Sequence, residues 1–339
     1  MTEQSQPLPP PAPADTASTR SVSTHDVSTR DASTRGPADS LVPSSVPPAS
    51  LPCVAARRTP LRLGQAPLFL LLLAYLLIVL YPMLWLVYTS LKPDKQIFLD
   101  PFALPAINNL RWDNFAHAWT GAHFGRYFLN SILLTVSTVV VTTFIAATTA
   151  FALTRYAFRT ASPLLLFFLA GLMVPLQLTI VPLFFQMKAM HLLDSLTGLF
   201  FAYVGFGLPF AVFVMAGFFK TLPASLHESA RLDGCSEWGA FWHVMLPMSR
   251  AGLITVAIFL FLGNWNEFFV AFVCLSGQGS EAARTLPLGL ANITIVSQYR
   301  SDWGMAFAGL VMMMIPTLIV YIVLQKHLTK GITAGAVKG

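Results

Sequence analysis

Six stretches of the chain, at about 67–91, 127–154, 163–187, 197–219, 251–276 and 303–325, stay apolar for twenty residues or more, and five of them contain no Asp, Glu, Lys or Arg. An α-helix rising 1.5 Å per residue needs roughly 20 such residues to cross about 30 Å of hydrocarbon. Lipid offers no partner to a bare backbone, so each stretch must satisfy its own N–H and C=O groups, and none alternates as a barrel strand would. The sequence therefore predicts an all-α integral membrane protein with six transmembrane helices. Charge usage agrees, because 11% charged residues in 339 is less than half of the roughly 25% that covers a soluble domain.

Residues 1–56 are of a different composition. Ten of the 24 prolines fall between Pro7 and Pro52, among Ser, Thr and Ala. Such a segment has too little apolar surface to offset its ordering entropy, and it reads as a disordered cytoplasmic tail. Ser18, Ser23, Ser28 and Ser33 recur at a spacing of five, which suits neither a helix face nor a strand. No apolar run precedes Arg57, so the tail is not read as a secretory signal.

Six crossings leave both termini on one side. Eleven Lys and Arg fall on that side, from Arg57 to Lys338, and seven on the other, from Lys92 to Arg300. Acids sharpen the contrast, with Glu228, Asp233 and Glu237 against six on the opposite face. The positive-inside bias then makes the terminal side cytoplasmic and the location a cell membrane. The net charge of +6 is thus an orientation signal, and its dispersal over loops excludes a nucleic-acid site.

No catalytic centre, metal site or cofactor site is legible. Cys53, Cys235 and Cys274 are far apart, and the seven histidines are scattered, with His227 and His243 lacking a carboxylate at ligand spacing. The chain has no G-x-x-x-x-G-K-[ST] phosphate cradle, so it is not expected to hold ATP.

The longest loop of the terminal side, residues 220–250, reads as two short helices about a glycine turn. Pro223 suits a first helical position, Ala224 to Leu232 continue the helix, and Gly234 supplies a left-handed end. Ser236 caps a second helix that presents Trp238, Phe241, Trp242 and Met245 before Pro247 stops it. That apolar face must be covered by the bundle, by headgroups or by a partner. Pro82, Pro175, Pro182, Pro209 and Pro316 lie within spans; each removes a backbone hydrogen bond, and bent helices around a cavity suit a translocation path.

The run Glu228-Ser229-Ala230-Arg231-Leu232-Asp233-Gly234-Cys235, continuing to Phe241, Val244 and Leu246-Pro247, resembles the cytoplasmic "EAA" loop of permeases of binding-protein-dependent ABC importers. The sequence departs from that pattern at Ser229, Cys235 and Ala251, where the family has Ala, Ala and Pro. The resemblance covers about residue 65 to the C-terminus, including Asn130-Ser131, Leu208-Pro209-Phe210 and Trp265-Asn266-Glu267-Phe268. The tail from Leu328 to Gly339 is similar to that of the carbohydrate branch, especially the maltose-type second permease.

What the resemblance implies is a type I importer permease, which, after the compositionally distinct tail at 1–56, divides into a first helix and outside loop at 57–126, a five-helix transmembrane domain at 127–325 and a cytoplasmic tail at 326–339. Its partners would be a second permease subunit, two separate ATPase subunits and an extracytoplasmic solute-binding protein, with a sugar as substrate. The chain itself would not be an enzyme. Glu228, Ala230, Arg231, Asp233, Gly234, Trp238, Phe241, Met245, Leu246 and Pro247 would form the ATPase-coupling loop. Trp238, Phe241 and Met245 would be its apolar anchors, and Glu228 and Asp233 would fix the loop's geometry, by capping or by pairing with Arg231 or a partner arginine. Glu267 is the one ionisable side chain in a span, and with Asn264, Trp265, Asn266 and Gln177 it offers amides, a carboxylate and an aromatic face of the kinds that bind sugars. A structural polar lock at Glu267, a permease for glycerol phosphate, and an ion-coupled secondary transporter stay open as alternatives. Deleting residues 1–56 is expected to leave uptake intact.

Overall fold

A computed structural model describes residues 66–277, 279–300 and 302–336; the 1–56 tail lies outside them. Among the described residues the elements are helical and no strand occurs. They run α1 (Ala66–Thr89), α2 (Asp94–Leu99), α3 (Asp113–Ala116), α4 (Phe124–Arg155), α5 (Ala161–Met173), α6 (Leu176–Ala189), α7 (Leu196–Thr221), α8 (Ala224–Leu232), α9 (Glu237–Ala240), α10 (Leu246–Met248), α11 (Arg250–Trp265), α12 (Phe269–Cys274), α13 (Leu286–Arg300) and α14 (Trp303–Ala336).

Four of these are long and apolar enough to cross a membrane unbroken: α1, α4, α7 and the Trp303–Gln325 part of α14. They match the first, second, fourth and sixth apolar stretches. Pro82, Pro209 and Pro316 sit inside continuous helices. α14 continues as a helix beyond residue 325, into the segment expected as a cytoplasmic tail, as far as Ala336.

The other two stretches are not single helices. The third, expected over 163–187, breaks between α5 and α6, whose axes turn by 102°. Pro175 explains it, because a residue preceding proline is driven out of the helical region. Val174 sits extended at ψ 116° and Pro175 at ψ 133°. The fifth, expected over 251–276, ends as a helix at Trp265 and resumes at Phe269. A further helix, α13, occupies what reads in the sequence as an outside loop. Its Leu286, Leu288, Leu290 and Ile293 are buried, but its apolar part, Leu286–Ile295, is too short to cross a bilayer and so escapes a span search.

The bundle centres on α4 and α7. Ala146, Ala147 and Ala150 of α4 pack with Ala211 and Ala216 of α7 in one buried cluster; small residues let helix axes approach where lipid gives no hydrophobic drive to associate. Gly207 shows how close that approach is, since a Cβ there would lie 2.9 Å from Leu260 Cδ2 and 3.2 Å from Thr142 Cγ2. α1 differs: almost its whole length is exposed.

The end of the molecule opposite the 220–250 loop is tied by polar contacts. Asn114 donates to the carbonyls of Ser90 and Lys92 at 2.8 and 3.2 Å, and Gly304 N–H donates to Asp94 Oδ1 at 2.7 Å. Lys92 is wholly buried; its ammonium donates to the carbonyls of Asp100 and Pro101 at 3.1 and 2.9 Å and lies 5.0 Å from the Tyr88 ring centroid. Asn130 donates to the carbonyls of Ala282 and Arg284, and Ser131 Oγ accepts from Leu286 N–H at 2.7 Å. That pair anchors the start of α13 to α4.

Candidate functional site: the loop helices and the broken fifth span

The 220–250 loop begins as its sequence dictates. α8 starts one residue after Pro223, which is the extended residue before the helix rather than its first turn. It ends in a Schellman motif: Cys235 N–H returns to Ala230 C=O at 3.0 Å and Gly234 N–H to Arg231 C=O at 3.1 Å. Gly234 has φ +85°, a conformation costly for a residue with a Cβ. Ser236 Oγ then accepts from Gly239 N–H at 3.1 Å and caps α9. Two helices are thereby joined through a turn of four residues, Asp233 to Ser236.

The second loop helix is longer than expected. Phe241–Met245 forms a π-helical stretch bridging α9 to α10, so the run continues through Pro247 to Met248. Proline is tolerated because the wider turn already interrupts the regular hydrogen-bond ladder. The chain turns instead at Ser249, where α11 departs at 75°.

Burial divides the predicted anchors. Phe241 is 1% exposed and Met245 0%, both inside the core cluster of α4, α7 and α11, so they hold the loop to its own bundle and do not face a partner. Trp238, at 61%, is exposed, together with Trp242 and Leu232, the latter at 88%. Ala230 is buried, Leu246 packs at the core's edge and Pro247 is exposed. Glu228 and Asp233 are exposed, and among the described residues no ion-pair partner faces either.

Arg231 pairs with Glu237 and not with those two acids. The same carboxylate takes the Tyr156 hydroxyl at 2.5 Å and lies 3.1 Å from His227 Nε2. Three elements meet there: the residue after α4, α8 and the first residue of α9. No sequence motif marks Tyr156, and the ten residues that separate His227 from Glu237 across a turn give no periodic signal. Burial first, then the charges of Arg155 and Arg231, hold the His227 imidazole below its usual pKa, while Glu228 pulls the other way. Glu237 does not reverse this, because Arg231 already neutralises it. Beneath the polar contacts, Phe151 is the aromatic hub, with ring centroids 5.2 Å from Phe241, 5.9 Å from Phe219 and 5.5 Å from His227. Arg155 Nη2 completes the joint by donating to the carbonyls of Phe219 and Leu222 at 2.7 and 2.9 Å.

At the break in the fifth span, four consecutive residues turn to different partners. Asn264 donates to Thr138 Oγ1 of α4 at 2.9 Å. Trp265, fully buried, donates to Met313 C=O of α14 at 3.1 Å. Asn266, exposed, donates back to Leu262 C=O at 2.8 Å. Glu267 Oε1 accepts from Val270 N–H at 2.7 Å, and its Oε2 accepts from Ala271 N–H at 3.1 Å and from Tyr203 O–H at 2.7 Å. Glu267 therefore caps α12 and fastens it to α7. Gln177 is exposed in the first turn of α6. A cavity of about 540 Å³ lies between α6 and α7, with Thr179, Gln186, Met187, Phe201 and Phe206 in its wall.

Residues 140–334 match the family described as "Binding-protein-dependent transport system inner membrane component". The chain is 39% identical over 265 residues to the diacetylchitobiose uptake system permease protein NgcG of Streptomyces coelicolor, covering 78% of this chain and 86% of that one. It is 33% identical to the trehalose transport system permease protein SugB of Mycobacterium tuberculosis over 77% and 93% of the two chains. It is 31% identical to the arabinooligosaccharides transport system permease protein AraQ of Bacillus subtilis over 80% and 94%. The fold matches, at a TM-score of 0.67 and 23% identity, a chain of a bacterial ABC transporter involved in the import of the polysaccharide alginate, over 79% of this chain and 99% of that one.

Proposed function

The chain belongs to the family of inner-membrane components of binding-protein-dependent transport systems, and from that membership we propose that it is the permease subunit of an ATP-driven sugar importer. It is a multi-pass membrane protein of the type I importer permease fold. Permeases of this family conduct a solute and are not enzymes, so the energy has to reach this chain through a contact.

The observation that carries the reading is the 220–250 loop. A Schellman turn and a serine cap hold two helices rigidly together, and their outer face offers Leu232 and Trp238 beside the exposed Glu228 and Asp233, neither of which has a salt bridge among the described residues. Apolar anchors beside exposed carboxylates suit a groove carrying arginine or lysine. In this reading the groove belongs to an ATPase subunit, two of which drive this permease and a second permease subunit around one path. The Lys/Arg balance supports placing this loop and both termini in the cytoplasm, with the α2–α3 and α12–α13 segments toward a solute-binding protein.

Mono- or oligosaccharide is the substrate class, supported by relatives named for diacetylchitobiose, trehalose and arabinooligosaccharides. Asn264, Trp265 and Glu267 are engaged in fastening the fifth span, so the path residues proposed to meet sugar are the exposed Asn266 and Gln177. The test is co-purification with the neighbouring subunits, followed by ATPase and uptake assays with a sugar panel and the cognate binding protein. Sugar-stimulated ATP hydrolysis is expected. Transport by this chain alone on a proton gradient would overturn the reading.

A further inference from the structure

We infer that Glu237 is a positioning residue whose carboxylate, shared by Tyr156, His227 and Arg231, latches the coupling helix α8 to the end of α4 and carries its displacement into the bundle. The inference rests on the proposed ATPase docking at this loop. α8 is the part that an ATPase would grip. Its covalent route to α4 runs back through the whole of α7, α6 and α5. Contacts must therefore carry the movement. Among the described residues the contacts that join α8 to the end of α4 include the edge-on packing of the His227 ring on Phe151 and on Tyr156, with centroids 5.5 and 6.3 Å apart, and Glu237, whose Oε2 takes Tyr156 O–H and His227 while its Oε1 takes Arg231.

His227 and Arg231 are four residues apart and so share one face of α8. Each grips a different oxygen of the same carboxylate, which fixes the helix in rotation as well as in position. Tyr156 is the first residue beyond α4, directly after Arg155, which holds the last carbonyls of α7. A pull on α8 thus reaches both central helices within two residues of one another.

Exposure decides between a staple and a moving joint. The Glu237 side chain is 35% exposed and that of Arg231 53%. Ion pairs in that setting contribute little to stability, because water screens them and ordering the side chains costs entropy. Their weakness lets the latch break and re-form during a transport cycle, while their direction still sets where α8 rests. The fold itself is held beneath it by the buried Phe151, Phe219 and Phe241.

The test compares Glu237→Gln, Glu237→Ala and Tyr156→Phe in the intact importer, reading sugar taken up per ATP hydrolysed alongside recovery of the ATPase subunits. A disturbed fold would lower uptake and hydrolysis together and leave their ratio unchanged. Expected are normal subunit recovery, a ratio lowered by roughly threefold or more in Glu237→Ala, a smaller loss in Glu237→Gln, and no added effect of Tyr156→Phe once Glu237 is alanine. An unchanged ratio in all three, with cross-links from Trp238→Cys to the ATPase still forming, overturns the latch alone. Absence of those cross-links from otherwise active complexes overturns the docking reading beneath it.

Discussion

Tyr203 of α7 donates its phenolic hydrogen to Glu267 Oε2 at 2.7 Å, across the point where the fifth apolar stretch stops being a helix. The same carboxylate accepts the N–H groups of Val270 and Ala271, donors that a helix start leaves without partners. One acid thus satisfies the donors at a break inside the membrane domain, and its partial burial is offset by three hydrogen bonds rather than by a counter-charge.

Glu267→Ala removes both the cap and the acceptor of Tyr203. A lost cap costs about 1 kcal/mol and an orphaned buried hydroxyl about 1–3 kcal/mol, so a loss of about 2–4 kcal/mol is expected. Thermal unfolding of the purified protein in detergent checks it. Tyr203→Phe should cost about 1 kcal/mol, since the carboxylate keeps its two backbone donors.

Exposure separates two aromatic residues three apart. Phe241→Ala should open a cavity in the core and cost about 3–5 kcal/mol. Trp238→Ala should stay within about 0.5 kcal/mol of the parent, yet reduce recovery of ATPase subunits in co-purification. Equal effects on stability would contradict the burial difference.

At Gly234 the backbone φ of +85° is closed to proline, whose ring fixes φ near −65°. Gly234→Pro also deletes the N–H that returns to Arg231 C=O. The variant is expected to insert and to purify in normal yield, but to lose sugar uptake while ATP hydrolysis continues. Normal uptake would contradict a role for the turn in coupling.

His227 gives the loop a pH dependence. Its imidazole faces Glu237, Tyr156, Arg231, Glu228 and Arg155, and the folded state holds it neutral by burial and by the two guanidinium charges. Unfolding of the loop would restore the usual value of 6.5, so the unfolded form binds the extra proton. Stability from this group is then complete above about pH 6.5 and declines as pH falls through the lowered folded value. Hydrogen exchange in α8, corrected for intrinsic rate, should accelerate at pH 5 relative to pH 7.5, and His227→Gln should remove most of that difference.

Four of the six spans could be read directly, because an unbroken apolar run of the right length has one solution in lipid. The loop was legible for a different reason: Gly234 and Ser236 are local signals whose meaning is fixed by backbone geometry. What local signals could not supply was direction. Trp238, Phe241, Trp242 and Met245 lie within two turns, yet the π-helical stretch and the neighbouring helices bury Phe241 and Met245 and leave the two tryptophans out. Pro175 looked equivalent to Pro182, although the first breaks its helix and the second continues inside one. Glu237 and Tyr156, 81 residues apart, belong to no motif at all.

Lys92 enters the charge balance that orients the chain as though it met water, but it is sealed. Burial pushes its ammonium below the usual lysine value, with Asp100 opposing, which by itself would make it the better nucleophile. Access overrides basicity here. An impermeant amine-reactive reagent applied to that face will modify Lys95 and Lys188, which are exposed, and pass over Lys92. The unmodified lysine then marks intact closure of the segments around it, and its modification registers their opening.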